Sequence, residues 1–447
     1  MTSLKQTEIH KETAHRSAFL RCGNGVDRIV HTPSEWVGFI AYLLLIIYIG
    51  FAIKANVTMI PSIATTALLV LYIFSAAIGA VAFAIWRGTP RHARHIENSL
   101  ARIGLTNSAG EVPLLIESRE DTTLSKMRTV TVLEFWACGI ERNEWEKRKT
   151  AIEAALNVQI AKIEECDGKQ HIRLYIVPAT QGLPEHLDWR NAMMDYSYPE
   201  CKVVLGENLL EPMVIDLNIY PHLLIGGGTG SGKTVLLKLI LMQLLMKNCV
   251  QVTIADFKGG IDFGSIWRKH SNCRMIFTRD ELLNYLDTLV DELHRRKEII
   301  AATEGCNNIY EYNNRCAQYL DRIVLAIDEV AEILDKSGLD KNAKEQVIQI
   351  ERCIATIARL GRAVGIHLVL ATQRPDANIL SGQIKNNISY RACGRADNVL
   401  STIILDNTSA ADEIPSNARG RFIDNEGTVF QSYWFNESAI DWRTSQT

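Results

Sequence analysis

The 447-residue chain carries 48 Lys+Arg against 51 Asp+Glu, with 47% hydrophobic and 22% charged residues. Its length predicts two or three folded units of roughly 100–200 residues each, and charge this close to balance excludes a globally basic nucleic-acid coat and an acidic disordered tail, though not a small basic channel formed by assembly. The ten cysteines never form a C-x-x-C pair, so they read as reduced thiols of a cytosolic compartment, not as a disulfide frame or a zinc site.

Residues 1–34 read as a cytoplasmic N-terminal segment. From Trp36 to Ile53 eighteen residues run without a charge, and after Lys54 the stretch from Ala55 to Trp86 is again uncharged. A hydrocarbon core about 30 Å thick needs ~20 apolar residues at helical rise, so a transmembrane hairpin is expected over 35–86, with spans at about 36–53 and 62–86. A buried core hairpin is the alternative, but Trp and Tyr near the ends of both runs match bilayer-interface chemistry. Lys5, Lys11, Arg16, Arg21 and Arg28 precede the first span and Arg87, Arg91 and Arg94 follow the second, while the intervening loop carries only Lys54. The positive-inside bias puts both termini on the cytoplasmic side.

A small cytoplasmic α/β module is expected over 87–197. It opens with turn chemistry at Asn107-Ser108-Ala109-Gly110, followed by a strand at 129–137. A helix with Trp145, Ile152, Ala155 and Leu156 on one face spans 141–157, and a second strand at 171–177 is ended by Pro178.

The third unit, 198–435, carries the chemistry, and 436–447 is a tail. A short apolar strand, Pro221 to Ile225, runs into Gly227-Gly228-Thr229-Gly230-Ser231-Gly232-Lys233-Thr234, which satisfies G-x-x-x-x-G-K-[ST] at every fixed position and precedes an apolar helix. Glycines let the backbone wrap phosphate oxygens while the helix N-terminus offers free N–H groups. Lys233 is expected to reach the β- and γ-phosphates of ATP, and the Thr234 hydroxyl to bind Mg²⁺. A second apolar strand, Arg322 to Ile327, ends in Asp328-Glu329. Asp328 is the expected Mg²⁺ orienter, and Glu329 the expected general base or water-orienting group. A third, Ile366 to Ala371, ends in Thr372-Gln373-Arg374-Pro375, where Gln373 is placed to sense the γ-phosphate or the attacking water. With further strands and helices at 250–256, 233–247 and 280–300, these elements predict an α/β, doubly wound, mainly parallel sheet of P-loop topology.

Over roughly 205–425, the segments PMVIDLNIYPHLLIGGGTGSGKT, IVLAIDEVAEIL and IARLGRAVGIHLVLATQRPDANILSGQIKNNISYRACGRADNVLSTIILD resemble the FtsK/SpoIIIE family of membrane-anchored DNA-translocating ATPases. The resemblance implies a RecA-like motor that works as a hexameric homo-oligomeric ring threading double-stranded DNA. It also implies an arginine finger supplied to a neighbour's site; Arg391 is the candidate, with Arg395 and Arg362 as alternatives. Chromosome-segregating members are similar to one another in carrying about four spans and a DNA-reading module after the motor. With two spans and an end at Thr447, this chain instead resembles the compact coupling proteins of Gram-positive conjugative elements, which implies relaxase and transfer-channel partners. A chromosome-segregation translocase remains an alternative. So does a type VII-like protein-secretion ATPase, because Asp256-Phe257-Lys258-Gly259-Gly260 resembles the matching segment there.

DNA contact in such a ring needs only phosphate contacts without base information. Lys258, Lys385 and Arg395 are pore candidates, with a solvated surface charge the alternative for each. His294-Arg295-Arg296-Lys297 is expected on a solvated helix face, and Arg91-His92-Ala93-Arg94-His95 beside anionic headgroups.

Overall fold

The computed structural model describes residues 2–56, 62–125, 128–190, 201–247, 249–373 and 380–440. They divide into two compact units, 1–182 and 183–447.

The first unit opens with three helices, α1 (Thr2–His31), α2 (Pro33–Asn56) and α3 (Ser62–Gly88). Two stretches, Trp36–Ala55 and Thr66–Gly88, are long and apolar enough to cross a bilayer, and 0% and 6% of their most apolar windows are buried. Leu44, Tyr48, Phe51, Leu71, Phe74 and Ile78 all face outward, an arrangement consistent with membrane anchoring. Tyr42 donates to the Ala76 carbonyl at 2.7 Å and Tyr72 to that of Ile46, so each phenol finds its acceptor on the facing helix. Helix α1 lies against α3 so closely that a Cβ at Gly25 would meet the Ala84 carbonyl oxygen at 1.8 Å. Arg21 closes the same end through an ion pair with Glu97 at 2.7 Å.

Helix α4 (Ala93–Arg102) leads to a four-stranded antiparallel sheet in the order β1-β2-β4-β3. Its strands are β1 (Leu114–Asp121), β2 (Val130–Trp136), β3 (Val158–Cys166) and β4 (His171–Pro178). Strand β2 was legible from its β-rich composition and β4 from alternation; β1 and β3 are too rich in charge to announce themselves. The single helix expected over 141–157 is two, α5 (Arg142–Lys147) and α6 (Lys149–Leu156). They part at Arg148, whose backbone leaves the helical region and whose guanidinium donates to the Ile103 carbonyl at 2.7 Å. The break lets Trp145 pack on Phe135 at 5.2 Å while Ile152 is buried in the same core.

The second unit is built on a ten-stranded sheet, β6-β5-β14-β13-β12-β7-β11-β10-β8-β9. Six neighbours are parallel: β9 (Cys273–Ile276), β8 (Val250–Ala255), β10 (Arg322–Ile327), β11 (Ile366–Thr372), β7 (His222–Gly226) and β12 (Tyr390–Gly394). The remaining four continue antiparallel: β13 (Arg421–Asp424), β14 (Val429–Ser432), β5 (Lys202–Glu207) and β6 (Pro212–Asp216). The parallel strands are buried on both faces, so they read as unbroken apolar runs. Alternate residues sort accordingly: Leu223, Ile225, Val324 and Val369 pack under α7 (Lys233–Leu245), whereas Leu224, Leu325, Leu368 and Leu370 pack under α8 (Arg279–Ala302) and α9 (Lys341–Val364). Of the 294–297 run on α8, His294, Arg295 and Lys297 are exposed as expected, whereas Arg296 is buried and donates to Glu292, the Asp321 carbonyl and the Val364 carbonyl, tying α8 to the segment before β10 and to the end of α9.

Candidate nucleotide site

Parallel strands end on one edge, and four of those ends meet here. Strand β7 delivers the P-loop, β8 delivers Asp256, β10 delivers Asp328 and Glu329, and β11 delivers Thr372 and Gln373. Such an edge is where open α/β sheets hold ligands.

Within the P-loop, Gly230 and Gly232 have φ of 76° and 99°, conformations that side chains disfavour. Gly232 also backs onto the main chain of Gly420, so the loop turns tightly into α7. The Ser231 carbonyl accepts from Gly420 N at 2.8 Å, and Gly228 N donates to the Arg395 carbonyl at 2.8 Å, which stitches both sides of the loop to neighbouring segments.

Lys233 is 2% exposed; its ammonium donates to the Asp328 carbonyl at 2.6 Å and to Asp328 Oδ1 at 3.2 Å. The Thr234 hydroxyl donates to the same Oδ1 at 3.4 Å. Lys258 takes the other oxygen, Oδ2, at 3.1 Å. Burial pushes the Asp328 carboxyl up, but Lys233 and Lys258 outweigh it and hold the group below the usual carboxylate range. Asp256, beside it, has no such partner for Oδ2, and burial lifts its carboxyl above the ordinary value. Two hard oxygen donors, from Thr234 and Asp328, thus converge at one point next to an anionic pair, a donor set that fits Mg²⁺.

Glu329 is 7% exposed and oriented from β11: the Thr372 hydroxyl donates to Oε1 at 2.8 Å and Gln373 N to Oε2 at 3.0 Å. Oε2 retains lone-pair capacity for a further donor. The Gln373 amide oxygen accepts from the Thr229 hydroxyl at 3.4 Å, placing this side chain over the P-loop. Arg374 and Pro375 lie outside the described residues.

Arg391 is not among the residues gathered here. It sits near the start of β12, where its guanidinium donates to Asp406 at 2.6 Å and to the Ile404 carbonyl at 3.1 Å. Lys385 pairs with the same Asp406 at 2.6 Å, and Arg362 donates to the Asn218 carbonyl at 3.0 Å. Arg395 is the arginine at this chain's own P-loop, donating to the Thr229 carbonyl at 2.5 Å and the Ser416 carbonyl at 2.6 Å. Arg395→Ala removes two charge-assisted bonds worth about 1.5–3 kcal/mol each at most. We expect it to weaken ATP binding about tenfold or more by titration calorimetry, with a fall of a few degrees in melting temperature. Sequence reading missed Asp256 and Thr372 as site residues and offered Lys258 only as a pore candidate or a solvated surface charge. The signal available was position alone, since each stands at or just past the end of an apolar strand.

The FtsK/SpoIIIE family profile matches residues 188–377. A solved structure of the pCW3 conjugation coupling protein TcpA, a monomer form with ATPγS, is 32% identical with a TM-score of 0.57, covering 78% of this chain and 96% of that one. The chain belongs to the FtsK/SpoIIIE family. Among curated relatives of this FtsK/SpoIIIE chain, DNA translocase FtsK of Treponema pallidum is 34% identical over 46% of this chain and 26% of its own length. That of Chlamydia pneumoniae is 33% identical over 51% and 30%. The chain therefore spans under a third of the length of these relatives. The FtsK/SpoIIIE assignment makes the strand-edge cluster the P-loop site of an ATPase fold.

Proposed function

We propose that this chain is a membrane-anchored, ATP-driven DNA translocase acting as the coupling protein that delivers DNA to a conjugative transfer channel. The observation that carries the reading is the extent of the match to the conjugation coupling protein. The superposition reaches 78% of this chain, more than the motor alone occupies, so the likeness to that coupling protein continues beyond the motor.

In this reading ATP lies along the P-loop, with backbone N–H groups of 227–234 on its phosphates and Lys233 drawn from Asp328 to the β- and γ-oxygens. Thr234 and Asp328 hold Mg²⁺, which when bound neutralises charge developing on the transferring phosphoryl group. Glu329, held by Thr372 and Gln373, orients the attacking water and takes its proton, and Gln373 reports γ-phosphate occupancy. Arg391 remains the candidate finger for a neighbouring subunit in a hexameric ring: it stands at the end of its strand away from its own P-loop, whereas Arg395 is committed to that loop. The helical hairpin crosses the membrane with both termini and the motor cytoplasmic. The Arg21–Glu97 pair supports this topology, because it ties the segment before the hairpin to the segment after it. Relaxase and channel proteins are the partners implied.

The test is ATP turnover by the detergent-solubilised chain without DNA and with double- or single-stranded DNA, at two salt concentrations. DNA should stimulate turnover, and the stimulation should fade with salt as phosphate contacts are screened. Turnover indifferent to every DNA but raised by a polypeptide would replace this reading with a protein-pumping ATPase.

A further inference from the structure

We propose that Trp434 and His186 form the platform on which the purine base of the bound nucleotide stacks. The inference rests on the nucleotide reading above and assigns the half of the ligand that the P-loop does not hold. Asp328, Glu329 and Gln373 lie at the ends of β10 and β11, so the terminal phosphate points to that side of β7. The sheet order runs β10-β11-β7-β12-β13-β14, so the nucleoside must leave the loop on the opposite side, toward β12–β14.

A cavity of 440 Å³ lies there, bordered by Gly230, Gly232 and Val235 of the P-loop segment, by Gly420, and by His186 and Trp434. Its volume is in the range of about 300–1,000 Å³ usual for small-ligand sites. Trp434 is 46% exposed although its neighbours Tyr433 and Phe435 are 1% and 7% exposed. An indole turned outward from a buried run, beside a ligand loop, presents a π-face to whatever enters. The His186 ring stands 5.7 Å from it, centroid to centroid.

The platform is built by main chain. Trp434 N donates to the Leu187 carbonyl at 2.7 Å and Trp189 N to the Trp434 carbonyl at 2.8 Å, pairing the chain's entry into this unit with its last strand region. The indole's position therefore does not depend on burial of its own ring. The amide of Gln431, which also lines the cavity, is spent within the protein: it donates to the Arg419 carbonyl and accepts from Arg421, both at 2.9 Å. Gln431 is therefore not available to read the base's edge, and the aromatic face of Trp434 offers stacking instead. A second cavity that Trp434 also borders, 610 Å³, is walled by the Lys238–Glu437 ion pair and Asp262, whereas the charged groups bordering this one are Glu185 and Arg419.

The experiment measures equilibrium binding of MgATP and of magnesium tripolyphosphate to the full chain in detergent. Base–aromatic stacking predicts that Trp434→Ala weakens MgATP about tenfold or more while leaving tripolyphosphate unchanged, with Trp434→Phe restoring most of the loss. His186→Ala should move MgATP in the same direction, by a smaller factor. Equal weakening of both ligands, or of neither, overturns the platform. Lys233→Ala in parallel keeps the two readings apart, since it should weaken both ligands. If it weakens neither, the P-loop reading itself fails. If it weakens both while Trp434→Ala and His186→Ala leave MgATP unchanged, only the platform fails.

Discussion

Glu329→Gln should bind ATP as the parent chain does and hydrolyse it about 10²–10⁴ times more slowly, the range that a positioned general base supplies. The substitution is nearly isosteric. An amide oxygen in the Oε1 position can still accept from the Thr372 hydroxyl at 2.8 Å and from Gln373 N at 3.3 Å, and only the 3.0 Å bond from Gln373 N to Oε2 is lost. The side chain therefore stays tied to the end of β11, and what disappears is the ability to take a proton. The check is a rapid-quench or coupled turnover assay run beside equilibrium ATP binding. Hydrolysis near the parent rate would remove Glu329 from the base role, and loss of binding would make it a structural cap of the short helix at 330–334.

Lys233→Ala should lower turnover about 10²–10³-fold or more, in line with removing one preorganised charge from a phosphoryl-transfer site. A stability effect accompanies it. Asp328 is 1% exposed and shared between two lysines. Truncating one partner of a buried pair costs about 3–5 kcal/mol when the remaining charge is left alone. Here Lys258 stays on Oδ2, so the fall in melting temperature should be smaller than for the double change Lys233→Ala/Lys258→Ala. A Lys233→Ala chain that melts like the parent and still fails to hydrolyse ATP places the defect in the chemistry. Normal turnover would refute the site.

Much of this was legible before any fold was known. The P-loop pattern prescribes its own geometry, because four glycines, a lysine and a threonine at that spacing form a phosphate-binding turn into a helix. The parallel strands were legible because burial on both faces writes them as continuous apolar runs: RIVLAI and IHLVLA appear where expected, at Arg322–Ile327 and Ile366–Thr372. The antiparallel edge β13-β14-β5-β6 was not, since its strands are only four to six residues long and mixed in character. The failure at 141–157 has a similar cause: helical spacing continues across Arg148, and only a hydrogen bond to a carbonyl 45 residues away breaks it.

The sequence by itself determined the apolar hairpin, the nucleotide-binding loop and the acid pair that faces it, because each is a local pattern whose physics is complete within a few residues. Only the tertiary structure decided what each charge is for. Lys258 pairs with Asp328, Arg296 is buried between the start of β10 and the end of α9, Arg395 braces its own P-loop, and Arg391 is held by Asp406 at the start of β12. A charged side chain is long and its partner is chosen by proximity in three dimensions. The energy that distinguishes a buried ion pair from a solvated group arises only after the backbone has brought distant segments together.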